Sequence, residues 1–351
     1  MSAASPKHQS QAVGRMRSAA TDAPLFGCRQ SHWPRRAVAV LACGILCSTA
    51  GSPATEPADT AGRASVRFGF TRSMFREVNE NDARAALKAY AGVIAQNRGF
   101  NALANPVIFE GPAEMATALQ EEKVDIIAAL SAEILALPGE LLTGPYLITM
   151  RGQVVGEEYL LLARSDRGFS TPVDLKGRRV AVLNNVRGSL AECWLEVLLG
   201  TRGPDALGNF LGELKFVTKP SLAVLPVFFG QMDACVITRE SFAIVTEMNP
   251  QVGRQLRILA VSPVVVPAIT CFRRNIDPMV RAEVLNTLDT LHANVSGQQV
   301  LTIFQSERVE AHDDSALEST RRLLADCARL EAPPAAPPPV AANAAKSVPY
   351  R

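Results

Sequence analysis

Seven residues of this chain could hold a small ligand, all of them without covalent chemistry: Thr71, Ser73, Ser131, Arg187, Gly188, Ser189 and Thr238. The last of the strand-length apolar residues Val180 to Leu183 leads into Asn184-Asn185-Val186-Arg187-Gly188-Ser189, and Leu190 to Leu199 then takes up helical spacing. Free backbone N–H groups and the positive end of the helix dipole at such a junction favour an anion. Arg187 adds a guanidinium able to clamp a phosphonate or carboxylate through two hydrogen bonds. Its alternative reading is a solvated loop charge. Thr71 and Ser73 follow the first expected strand, at the C-terminal edge where open α/β sheets bind ligands. Ser131 and Thr238 follow two later strands. Each of these hydroxyls has a second reading as the cap of the helix behind it.

Covalent and metal-assisted chemistry finds little support. Of the four histidines, His8 and His32 fall in a segment expected to be removed, while His292 and His312 lie away from any expected strand end. A histidine-based triad or a histidine-rich metal site is not expected. The chain has no phosphate-binding P-loop, no dinucleotide glycine fingerprint and no Gly-x-Ser-x-Gly elbow. Asp313-Asp314 sits in a polar connection facing solvent. The expectation is a protein that is not an enzyme and needs no cofactor or metal.

The elements that would position these residues alternate between strand and helix, so the fold class is α/β with largely parallel sheets. Strands are expected at Val66–Phe70, Pro106–Phe109, Val124–Leu130, Glu158–Ala163, Val180–Leu183, Leu214–Val217, Met232–Thr238, Leu256–Val261 and Ala268–Phe272. Helices are expected at Asp82–Asn97, Ala113–Glu122, Ala132–Leu137, Leu190–Leu199, Leu222–Phe229 and Glu240–Met248, and Pro278 to Leu330 reads as mostly helical. An internal echo stands out. Lys123-Val124-Asp125 enters a strand that ends before Ser131, and Gln231-Met232-Asp233 enters one that ends at Thr238. Two similarly built lobes facing a shared cleft would produce it, as would chance likeness between two ordinary βαβ units.

The folded body runs from about Ser65 to Leu330, between a Pro/Ala/Thr-rich spacer at 51–64 and a Pro/Ala-rich tail at 331–351 that cannot bury a core. Ahead of the spacer, Trp33-Pro34-Arg35-Arg36 precedes an apolar run ending in Ser48-Thr49-Ala50, and residues 1–50 read as a cleaved export signal. An uncleaved anchor or a lipid-modified Cys43 or Cys47 is the alternative, and Met16 is a second candidate start. The signal holds six of the 36 basic residues and one of the 34 acidic ones. The mature chain, with 30 basic against 33 acidic residues, is therefore mildly acidic and not a nucleic-acid binder. Four cysteines remain in it, Cys193, Cys235, Cys271 and Cys327, which an oxidising compartment could pair in three full connectivities. Buried free thiols are the preferred reading.

From Val66 to about Gln305 the chain resembles the type-2 periplasmic binding proteins of the phosphate, phosphite and phosphonate group. Arg67-Phe68-Gly69-Phe70, Lys123-Val124-Asp125, Asp174-Leu175-Lys176-Gly177-Arg178-Arg179-Val180-Ala181, Gly230-Gln231-Met232-Asp233-Ala234 and Leu256 to Pro263 carry the resemblance, in order. It implies two lobes, each a mostly parallel sheet flanked by helices, joined by a two-strand hinge. Residues 65–158 and 262–330 would form lobe 1 and residues 159–261 lobe 2, with crossings near Gly156 to Tyr159 and Ser262 to Pro267. Gly188 and Ser189 match the family's second-lobe anion loop. Ser131 falls where many members have Gly-Pro, whereas this chain reads Leu130-Ser131-Ala132-Glu133. The implied job is capture of a small anionic ligand in the periplasm by a monomer that delivers it to an ABC permease. The alternatives are a receptor that presents the ligand to a membrane sensor kinase and an enzyme on the same bilobal scaffold.

Overall fold

A computed structural model describes residues 65–76, 101–102, 106–201, 203–293, 295–303 and 306–331, with helical positions between 81 and 88. The expected signal, the spacer, the tail beyond 331 and most of the helix expected at Asp82–Asn97 lie outside the described residues. The first half of the body contains β1 (Ser65–Val66), β2 (Phe68–Thr71), β3 (Asn101–Ala102), β4 (Val107–Phe109), α1 (Pro112–Gln120), β5 (Ile126–Leu130), α2 (Ser131–Leu135) and β6 (Leu142–Met150). Next come β7 (Tyr159–Arg164), β8 (Arg179–Leu183), α3 (Ala191–Leu199), α4 (Gly203–Phe210), β9 (Glu213–Val217), α5 (Pro220–Phe228), β10 (Ala234–Thr238), α6 (Arg239–Met248), α7 (Pro250–Gln255) and β11 (Leu256–Val261). The chain closes with β12 (Ala268–Arg273), α8 (Pro278–Asp289), α9 (Val295–Ile303), β13 (Arg308–His312) and α10 (Glu318–Glu331).

Two main sheets result, with strand orders β13-β6-β12-β5-β2-β4 and β11-β7-β10-β8-β9. The central strands β5 and β10 are buried along their whole length, as expected where helices cover both faces. Alternation sorts the side chains: Val180 and Val182 enter one core with Trp194 and Leu195, and Ala181 and Leu183 enter the other with Val224 and Val227.

The internal echo has a physical basis. Asp125 Oδ2 accepts the backbone N–H of Arg67 at 3.0 Å and its Nε–H at 2.8 Å. Asp233 Oδ2 does the same for Arg179, at 2.9 Å and 3.3 Å. In each sheet the aspartate before one strand ties down the arginine that starts its parallel neighbour. Burial pushes the Asp125 carboxyl up, but the Arg67 contacts outweigh it and hold the group below the usual carboxylate range.

Three expectations need correction. The sheets are mixed rather than mostly parallel. β2 pairs in parallel with β4 and β5, and β8 with β9 and β10, but β12 runs antiparallel to β5 and β6, and β7 antiparallel to β10 and β11. The strand that enters each sheet from a crossing, β7 in one and β12 in the other, runs against its central neighbour, whereas the strand that leaves, β11 or β6, keeps the central direction. Second, β6 and β13 were not expected. β6 contains Gly144 and Pro145, which mimic a loop, and β13 is a short edge strand of mixed polarity. Third, α10 does not stay with the first lobe, to which residues through 330 were assigned. Its Leu323 is buried in the core with Trp194, Leu195 and Leu207. An amphipathic period says that a helix has an apolar face, not which surface covers it.

The chain crosses between the main sheets over residues 151–158 and returns over 262–267. The crossings touch each other: Glu157 N–H donates to Val265 C=O at 2.7 Å, and Val265 N–H to Glu157 C=O at 2.9 Å. Gly156 has φ +112°, and a Cβ there would lie 2.5 Å from the Val265 carbonyl oxygen, so only glycine allows this approach.

Candidate functional site

The parallel strands β2 and β5 end side by side in the first lobe, and there the expected ligand hydroxyls meet a carboxylate. Thr71 is fully buried, with its Oγ1 2.8 Å from both Ser73 Oγ and Glu133 Oε2. Ser73 Oγ reaches Glu133 Oε1 at 2.8 Å and Oε2 at 2.7 Å. Leu130 N–H also donates to Glu133 Oε2, at 3.1 Å. Each hydroxyl has a single proton to donate, and Glu133 or the neighbouring hydroxyl takes it. Among the described residues Glu133 has no ion-pair partner. Ser131, at the start of α2, is fully buried and donates its N–H to Pro267 C=O at 2.9 Å, while its Oγ has no hydrogen-bond partner among the described residues.

In the second lobe the loop after β8 satisfies itself, which corrects the expectation of free N–H groups. Gly188 N–H donates to Asn185 Oδ1 at 2.8 Å, Ser189 N–H to Val186 C=O at 3.4 Å, and Ala191 N–H to Gly188 C=O at 3.0 Å. Leu190 N–H points to Tyr159 Oη at 3.4 Å, and that hydroxyl donates to Arg187 C=O at 2.8 Å. A Cβ on Gly188 would lie 2.3 Å from the Leu183 carbonyl oxygen, so the glycine is required by backbone approach. Ser189 Oγ donates to Pro267 C=O at 3.3 Å, the same carbonyl that accepts from Ser131. Thus Ser131 of one lobe and Ser189 of the other converge on the returning crossing.

Arg187 is neutralised internally. Its guanidinium pairs with Glu157 and, at 3.1 Å, with Glu240 Oε2. Glu240 also pairs with Arg151 at 2.6 Å. Glu157 is 7% exposed. Burial pushes its carboxyl up to about 7, against the pull of Arg187. Arg151, Glu157, Arg187 and Glu240 form a chain of charges spanning both crossings' neighbourhood. A second bridge between the lobes joins the Arg76 guanidinium to Asn184 Oδ1.

Thr238 is buried and caps α6, its Oγ1 accepting from Ser241 N–H at 3.1 Å. The site as a whole therefore brings Thr71 and Ser73 together on Glu133, and Ser131 and Ser189 together on Pro267. It leaves Thr238 in a capping role. Sequence reading missed Glu133, Glu157, Glu240, Arg151 and Tyr159. Only Glu133 had a local signal, a glutamate at the third position of its helix, where it can cap the backbone N–H of Leu130. Among the described residues no three His, Cys, Asp or Glu side chains gather as a metal site.

A sequence model of the ABC-transporter phosphonate periplasmic substrate-binding proteins matches residues 85–317, across both main sheets and both crossings. The chain belongs to that family. As a phosphonate-type substrate-binding protein it is an extracytoplasmic solute binder of the periplasmic class, a role in which catalysis is not the norm. Solved structures agree on the two-lobed fold. XAC2383 from Xanthomonas citri, with ATP bound, is 17% identical, covers 76% of this chain and 98% of its own, and has a TM-score of 0.55. The binding component of an ABC phosphonate transporter from Pseudomonas aeruginosa is 16% identical over 77% of this chain and 88% of its own, TM-score 0.51. PhnD1 from Prochlorococcus marinus in complex with methylphosphonate is 11% identical over 74% and 96%, TM-score 0.50. No curated protein matches the chain significantly.

Proposed function

We propose that this substrate-binding protein captures a small phosphonate- or phosphate-like anion between its lobes and hands it, as a monomer, to an ABC permease. The observation that carries the reading is the family match over 85–317, because it spans Ser131, Glu133, the loop after β8, Thr238 and both crossings, with Thr71 and Ser73 just ahead of it. The paired crossings through Glu157 and Val265, at the ends of residues 65–158 and 159–261, are the natural hinge. Within the cleft, Ser131 is the best-placed donor. Its Oγ is buried without a partner among the described residues, and a desolvated hydroxyl in that position is costly until something accepts its proton. Ser189 shares the same carbonyl anchor, so one small rotation turns it to the same ligand atom. Thr71 and Ser73 reach an anion when Glu133 releases them, Gly188 shapes the loop, and Arg187 reaches one when it leaves Glu157 and Glu240.

The test is thermal denaturation of the purified protein against methylphosphonate, phosphate, phosphite, sulfate, small carboxylates and ATP. A ligand at a hundred times its dissociation constant stabilises the fold by about 2.7 kcal/mol. No shift with any of these anions overturns the anion reading. Ser131→Ala separates the site from a structural role: the unliganded variant is as stable as the parent or more so, while its affinity for the active anion falls about tenfold, the equivalent of one charge-assisted hydrogen bond of roughly 1.4 kcal/mol.

A further inference from the structure

We propose that Cys193 and Cys327 form a disulfide that staples the C-terminal helix α10 to the second lobe. Four cysteines of the body left three full connectivities open in the sequence, and the structure reduces them to one pair. Cys235 lies in β10 and Cys271 in β12, central strands of different sheets, and both are fully buried. Cys193 lies on α3 and is partly exposed, and Cys327 lies on α10. These two helices pack side by side. Cys193 Sγ is 3.8 Å from Leu323 C=O, and Cys327 Sγ is 3.1 Å from Glu196 Oε2. Each thiol thus reaches the facing helix about one turn from the other cysteine, since Leu323 precedes Cys327 by four positions and Glu196 follows Cys193 by three. Disulfides need closely approaching Cβ atoms, and only neighbouring helices facing each other at these positions supply them.

The chemistry is thiol–disulfide exchange with a disulfide-bearing oxidant. Cys193 is the accessible partner, and its thiolate attacks one sulfur of the oxidant's disulfide. A mixed disulfide forms and the oxidant's other sulfur leaves as a thiol. Cys327 then attacks the Cys193 sulfur, and the Glu196 carboxylate that already accepts its S–H relays that proton to the departing second oxidant sulfur, which leaves as a thiol. The protein loses two hydrogens, and the oxidant gains them. The consequence reaches the hinge, because Thr320 of α10 accepts the N–H of Val266 on the returning crossing at 2.8 Å. A staple at Cys327 would fix α10 against lobe 2 about two turns beyond that contact.

Incubating the purified full chain with glutathione disulfide tests this independently of where the protein resides in the cell, and independently of its ligand. After alkylation under denaturing conditions and trypsin digestion, the expected product is peptide 188–202 linked to peptide 323–329. The linked form should melt several degrees above the reduced form and return to it with dithiothreitol. Cys327→Ser should carry glutathione on Cys193 and show no rise in melting temperature. Two outcomes overturn the proposal: both peptides alkylated with no linked product, or glutathione retained on Cys193 of the parent chain.

Discussion

In the first lobe a carboxylate gathers the hydroxyls, and in the second a pair of carboxylates gathers the arginine. Thr71 and Ser73 both point to Glu133, whereas Arg187 lies between Glu157 and Glu240. The same sequence logic, polar residues after a strand and before a helix, produced both loops. Their electrostatics differ because Glu133 is supplied locally, three residues into α2, while Glu157 and Glu240 come from a crossing and another helix. Among the described residues Glu133 thus has no ion-pair partner, whereas Arg187 already has two. On the proposed anion-binding reading, a ligand entering the cleft would displace Glu133 from its hydroxyls on one side and compete for Arg187 on the other.

Substitutions can break that contrast. The largest effect is expected from Arg187→Met, which leaves Glu157 buried without its cation and costs about 4 kcal/mol of stability at pH 8. Its size depends on pH. Glu157 holds its proton more tightly when folded, so the native state binds more protons in that range, and burial carries no penalty below the ordinary value of 4.5. The penalty builds as pH rises through about 7, and urea denaturation of the parent should show stability falling by roughly 3 kcal/mol across that window. In Arg187→Met the fall continues above pH 7, whereas Glu157→Gln should flatten it. A flat parent profile would show that Glu157 is not desolvated.

Next in size, Gly188→Ala drives a Cβ into the Leu183 carbonyl and should cost about 3 kcal/mol by the same measurement. Unchanged stability would mean that the loop after β8 is freer than its contacts imply. Glu133→Gln tests the first lobe. Removing its charge releases the two hydroxyl donors, so anion affinity measured by calorimetry should rise about tenfold, worth roughly 1.4 kcal/mol. Weaker binding would instead make Glu133 part of the ligand's own contacts. The smallest effect belongs to Ser189→Ala, which loses one 3.3 Å hydrogen bond to Pro267 and should cost about 0.5 kcal/mol in the unliganded protein.

The fold was legible where burial and periodicity agree. Ile126 to Leu130, Arg179 to Leu183 and Ala234 to Thr238 read as strands because both faces are covered and β-branched or small apolar residues fill them. β6 and β13 were hidden, one by Gly144-Pro145 and the other by its mixed edge composition. The echo around Asp125 and Asp233 was visible as a pattern, and its physical basis, a tie to Arg67 in one sheet and to Arg179 in the other, emerged only in the structure. The candidate site was legible in its residue types and their places after strands. What those side chains touch was not.

The sequence by itself determined the alternation of strands and helices and the polar residues of the loops between them, because these depend on composition and on neighbours a few positions away. Only the tertiary structure decided strand direction at the crossings, the seat of α10, and the partners of Thr71, Ser73 and Arg187. Those depend on groups up to a hundred or more positions distant, as with Cys327 against Glu196 and Glu157 beside Arg187. Spacing along a chain carries no information about which distant charge will close on a side chain, and that contact sets whether a donor is open to a ligand or already bonded.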